Sequence, residues 1–132
     1  MGWQVMLGRF PPEAKNISEV QTPLGLLGAR QAVLSRIGQA FPSVRAETDL
    51  VRAEIDTDDF LLELWFGPKD PTEHVLITLR GGDQAVEAVC RLAEILGTRI
   101  YDISSGEIFE ASEGEALGRG FKNFKAWLER VT

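Results

Sequence analysis

The chain has 132 residues, enough for one domain with a core of its own and too few for two of ordinary size. Hydrophobic residues make up 44% and charged residues 26%, the proportions of a globular chain and not of a disordered or fibrous one. Fourteen bases against twenty acids give a net charge of −6, which argues against nucleic acid as a partner, and the single cysteine, Cys90, excludes an internal disulfide and a cysteine-based zinc site.

Trp3, Val5 and Leu7 alternate with Gln4 and Met6, which predicts a first strand ending at Gly8. Pro11-Pro12 and the polar residues through Thr22 predict a loop of the length that is functional or mobile in small domains. Pro23, with Thr22 ahead of it as N-cap, predicts the start of a first helix. Its apolar positions Leu26, Leu27, Val33, Leu34, Ile37 and Phe41 recur at helical spacing, and Phe41-Pro42 stops it. Gly25 and Gly28 weaken its first turns.

The middle of the chain reads as strands. Val51, Ala53 and Ile55 alternate with Arg52 and Glu54. Asp56-Thr57-Asp58-Asp59 is a turn, because aspartate side chains bond their own backbone. Phe60, Leu62, Leu64 and Phe66 return on one face, with Leu61, Glu63 and Trp65 opposite. After Gly67-Pro68-Lys69-Asp70-Pro71, Val75, Ile77 and Leu79 alternate with Leu76, Thr78 and Arg80, completing an antiparallel meander.

Gly81-Gly82-Asp83 is a strand-to-helix turn with Asp83 placed to cap. Val86, Val89, Cys90, Ala93 and Leu96 line a second helix that Gly97 terminates. Ile100–Ile103 is a strand, Ser104-Ser105-Gly106 a turn and Glu107–Phe109 a short returning strand. Phe121, Phe124, Leu128 and Val131 mark a terminal helix with Trp127 beside their stripe. The order β-α-β-β-β-α-β-β-α predicts a single α+β domain over residues 1–132. Its architecture is a two-layer sandwich, ferredoxin-like or related, with about four to six mainly antiparallel strands and helices on one face.

The opening Met1–Leu7 has no basic segment followed by a long apolar run, and Leu64–Phe66 is far short of a membrane span. A cytoplasmic chain without membrane association is expected. Charge is uneven along it: residues 46–115 carry seventeen acids and five bases, while the flanking segments are each net positive. Such a block either solvates the surface or steers a basic partner.

Several motifs fall short of a chemical site. Gly81-Gly82 lacks the further glycines of a dinucleotide fingerprint and the Gly-Lys-Ser/Thr ending of a P-loop. Counted from Asp56, a calcium loop would need glycine where Leu61 stands and glutamate where Gly67 stands. Cys90 reads as a small core residue, and nothing in the sequence ties it to His74 as a catalytic pair. No metal, no cofactor and no catalytic residue is assigned. Asp102, Ser105 and Glu107, with Arg80, form the one polar cluster that could line a ligand pocket. Asp58, Asp59, Glu63 and Trp65 form the candidate partner surface, Trp65 standing on the face opposite its strand's apolar residues.

Trp3-Gln4-Val5-Met6, Leu79-Arg80-Gly81-Gly82-Asp83, and Tyr101-Asp102-Ile103-Ser104-Ser105-Gly106-Glu107 resemble the opening, "RGG(G)DA" turn and "D-x-S-[ST]-G-E" hairpin of a family of small uncharacterised bacterial α+β proteins. The resemblance spans about half the chain and departs at Ile103, where that pattern often has cysteine. It implies a bacterial origin and an α+β fold, and it supplies no activity and no site residue. A looser likeness, of class and not of motif, is to bacterial immunity proteins.

Two functions remain open on the sequence. The first is a non-enzymatic binding module, immunity-like, masking a basic protein partner. The second is a small-molecule-binding protein or minor enzyme with its pocket near Asp102–Glu107. A homodimer through the open sheet face is compatible with either.

Overall fold

The computed structural model describes residues 2–131, and only the backbone of Trp127 and Leu128. The expected places of those two side chains on the terminal helix therefore lie outside the described residues. Strict alternation builds the longest strands. β1 (Trp3–Gly8) and β5 (His74–Gly81) each bury every second residue, as does β4 (Phe60–Trp65) along its middle. β3 (Arg52–Asp56) pairs with β4, and β6 (Arg99–Asp102) with β1. Two further strands, β2 (Arg45–Ala46) and β7 (Ile108–Phe109), have two residues each.

The sheet runs β2-β3-β4-β5-β1-β6-β7 and every pairing is antiparallel. It has seven strands, more than the sequence predicts. Two residues are too few to display an alternation, so β2 has no legible pattern of its own. The inner order β4-β5-β1-β6, linked through helices α1 (Arg30–Ala40) and α2 (Gln84–Leu96), is the β-α-β-β-α-β arrangement called ferredoxin-like. The β2–β3 hairpin widens it at one edge and β7 at the other.

α1, α2 and α3 (Gly114–Val131) lie side by side with α2 between its neighbours. The core is a two-layer contact. Val33 and Ile37 of α1, Val89 and Leu92 of α2, and Leu117 and Phe121 of α3 close over Trp3, Val5, Leu62, Ile77 and Ile100 of the sheet. α2 ends as its sequence predicts, on Gly97 at φ 67, a left-handed conformation that glycine adopts without a Cβ penalty.

Two local expectations are corrected. α1 begins at Arg30 and not at Pro23, so Thr22 is no N-cap. Gly28 takes φ +124, outside the helical region, and Leu27 donates its N–H to the Thr72 carbonyl at 2.8 Å, so residues 23–29 are not helical. The free N–H of Arg30 goes to Asp70 Oδ1 at 3.0 Å, which caps α1 from a distant loop. Asp83 stands at the head of α2 but its side chain makes no capping bond there.

The second face of the sheet is divided. Strand register sets a row across it of Arg52, Trp65, Leu76, Met6, Tyr101 and Ile108. Residues 10–24, whose helical content is one 3-10 turn (Ile17–Glu19), fold over the Met6–Tyr101–Ile108 end. There Phe10, Ala14, Ile17, Val20 and Leu24 pack on the row. Arg99 pins this cover from below: its guanidinium donates to the carbonyls of Pro11 and Ala14 and pairs with Glu110 at 2.6 Å. Among the described residues, the Trp65–Leu76 end of the row carries no such cover.

Candidate functional site

The four residues of the predicted partner surface separate into two places. Glu63 and Trp65 lie on the uncovered half of the second face, whereas Asp58 and Asp59 form the tip of the β3–β4 hairpin, at the opposite end of β4 from Trp65. A parallel row on that face runs Arg45, Glu54, Glu63, Thr78 and Gln4. Glu54 and Glu63 are directly opposite one another, a like-charge pairing that opposes folding. Each is offset by its own arginine: Arg45 reaches Glu54 at 3.2 Å and Arg80 reaches Glu63 at 3.3 Å. Together with the Glu47 and Arg52 rim these strands shape a shallow groove of about 670 Å³.

The hairpin tip is not built as its aspartates suggest. Thr57 supplies the bonding: its hydroxyl accepts from the N–H groups of Asp59 and Phe60 at 3.2 and 3.1 Å. Among the described residues, the carboxylates of Asp56, Asp58 and Asp59 make neither a hydrogen bond nor an ion pair. The turn does not use them. The Gly81-Gly82 pair likewise has a packing role. A Cβ on Gly81 would lie 2.5 Å from the Asp59 carbonyl oxygen, and Gly82 donates to that oxygen at 3.0 Å. The β5–α2 turn is thereby seated against the hairpin.

The predicted ligand cluster is partly assembled. Asp102, Ser105 and Glu107 come together beside α3, while Arg80 does not join them. Residues of β5 alternate across the sheet, and Arg80 stands with Leu76 and Thr78 on the second face. Asp102, opposite Val5, points into the helix-covered side. Asp102 is 2% exposed and heavily engaged. Its Oδ1 accepts from Trp3 Nε1 at 3.0 Å, from the Ser104 N–H at 3.0 Å and from the Ser104 hydroxyl at 2.7 Å; Oδ2 accepts from the Ser105 hydroxyl at 3.1 Å. It is the knot of a turn. Ser105 Oγ in turn accepts from the Glu107 N–H at 3.2 Å, which fixes the start of β7.

A groove of about 690 Å³ lies between this turn and α3, and the residues across it are Arg119 and Asn123. No sequence pattern named those two. Gly114, Gly118 and Gly120 interrupt the first half of α3 and blur the periodicity from which its faces could be read.

Cys90 and His74 are kept apart. Cys90 is half-buried on α2, in the helix layer, and both burial and the neighbouring Glu87 raise its thiol pKa above the usual 9.0. His74 starts β5 on the second face, its ring 6.3 Å from that of Trp65. Among the described residues no group of three or more potential metal ligands occurs, and no helix is long and apolar enough to cross a membrane.

No protein-family model, curated protein or solved structure matches the chain. No residue role is therefore carried in from another protein, and the sites are read from their own geometry.

Proposed function

We propose that this chain is a non-enzymatic binding module that masks a basic protein partner, in the manner of an immunity protein. The partner lies along the uncovered half of the sheet's second face and over the acidic hairpin beside it. The observation that supports this reading is the unused charge at Asp56, Asp58 and Asp59: the Thr57 hydroxyl closes the turn, so the carboxylates are spare. Their neighbour Leu61 and the more distant Trp65 and Leu76 offer apolar contact on the same face. Lysine and arginine side chains of the partner meet the tip, and the unbalanced charge speeds their encounter more than it tightens the complex.

A photo-reactive residue at Leu61 tests the proposal, with one at Glu94 on α2 as the control. A discrete adduct from Leu61 alone, lost when Asp58, Asp59 and Glu63 are all changed to lysine, is the expected result. Equal adducts from both positions, or adducts indifferent to charge reversal, overturn it. Sedimentation of the purified chain separates this partner from a second copy on the same face. A dimer that dissociates on Trp65→Asp assigns the face to self-association.

A further inference from the structure

The groove beside the 102–107 turn has walls of opposite charge that do not meet. On the turn side, Glu107 is exposed and makes no ion pair among the described residues. On the helix side, Arg119 has one ionic neighbour, Glu115, a turn back on its own helix at 3.8 Å, and Asn123 stands a turn further on. An exposed pair at that separation is worth little, so the guanidinium remains available. Phe109, Ala116 and Phe124 supply the apolar part of the lining.

We infer that this groove binds a small zwitterion of the α-amino acid type with an apolar side chain. The ligand's ammonium sits on Glu107, its carboxylate on Arg119 and Asn123, and its side chain against Phe109 and Ala116. Charge excludes the simpler ligands. An anion alone meets Glu107 on a chain of net charge −6, and a cation alone leaves Arg119 with no more than its exposed pair to Glu115. Only a molecule with both charges satisfies both walls. The groove's volume of about 690 Å³ falls within the range of small-molecule sites.

The floor is preorganised. Asp102 spends its hydrogen bonds on Trp3, Ser104 and Ser105 and so does not compete for the ammonium; through Ser105 it sets the backbone of Glu107. Gly120 lets α3 approach this floor closely, since a Cβ there would stand 3.3 Å from Asp102 Oδ2 and 3.5 Å from the Trp3 ring.

Titration calorimetry and thermal melting of the full chain with leucine, methionine and phenylalanine test this, each beside its methyl ester and its N-acetyl form. The free amino acids raise Tm, whereas the blocked forms do not. Glu107→Gln and Arg119→Gln, both at exposed positions, each weaken binding by about tenfold or more. The triple charge reversal at Asp58, Asp59 and Glu63 leaves amino-acid binding intact, which keeps this result separate from that of the protein partner. The inference is overturned if no free amino acid shifts Tm, if blocked forms bind equally, or if affinity survives both glutamine variants.

Discussion

The indole of Trp3 and the carboxylate of Asp102, 99 positions apart in the chain, are joined by a 3.0 Å hydrogen bond in the buried layer between sheet and α3. The same indole stacks on Phe121 at 5.2 Å between ring centroids. One contact thus ties the first strand, the 102–107 turn and the last helix together. Removing the two partners has unequal consequences. Asp102→Ala leaves the Trp3 indole with only the Ser104 hydroxyl, at 3.2 Å, and frees both serines from the carboxylate, and costs about 3 kcal/mol. Trp3→Phe leaves Asp102 with its serine partners and costs about 1–2 kcal/mol by lost bonding and area. Urea denaturation of the two variants checks the order, and equal losses would disprove it.

Arg99 should hold the cover over the second face. Arg99→Met removes the bonds to Pro11, Ala14 and Glu110 and is expected to lower stability by about 2–4 kcal/mol. Amide exchange should accelerate across residues 9–20 before it does so in β1 or α2. Arg99→Lys should behave more like the methionine variant than like the native chain, because one ammonium does not reproduce the guanidinium fork. Exchange protection unchanged at residues 9–20 would count against this role.

Adjacent glycines offer a sharp comparison. Gly81 adopts φ +114, and a Cβ there would come within 2.5 Å of the Asp59 carbonyl and 2.7 Å of Phe60 Cα, both backbone atoms. Gly82 has ordinary φ and its nearest contact is 3.7 Å away. Gly81→Ala should therefore lose about 3 kcal/mol or more, and Gly82→Ala under about 1. Thermal melting of the pair decides it.

Cys90 should be a slow nucleophile. Burial, with the Glu87 carboxylate adding to it, holds the thiol pKa above 9.0, so less thiolate is present at neutral pH than in a free cysteine. The sign for stability follows. The unfolded chain releases this proton at lower pH than the folded one, so stability declines as pH rises through about 9 and beyond. Cys90→Ala should flatten that decline in urea titrations at several pH values. Glu87→Gln should quicken alkylation of the thiol at fixed pH.

Strands β3, β4 and β5 and helix α2 were legible because apolar residues recur there at one clean period, and Gly97 marks a stop that only backbone conformation requires. The start of α1 was not. Leu26 and Leu27 mimic helical spacing, but the pairing of Leu27 with Thr72 is a contact that no local pattern announces. Among the candidate residues, Asp102, Ser105 and Glu107 belong to one tight turn, so proximity in sequence is proximity in space. Arg80 could have been set aside from parity alone, since it alternates with Leu79, whose side faces the helices. Arg119 and Asn123 depend on how a glycine-rich helix is rolled against the sheet, which tertiary packing decides.

β2 and β7, the outermost strands, are two residues long, and β7 is overlaid further by the backbone of Lys15 and Asn16. The sheet therefore ends without a run of free amides and carbonyls onto which another chain could zip. Short edges of this kind disfavour recognition by strand addition and leave the side chains of the surface to set selectivity, one residue at a time. The same blunt rims guard it against growing into fibrils at high concentration.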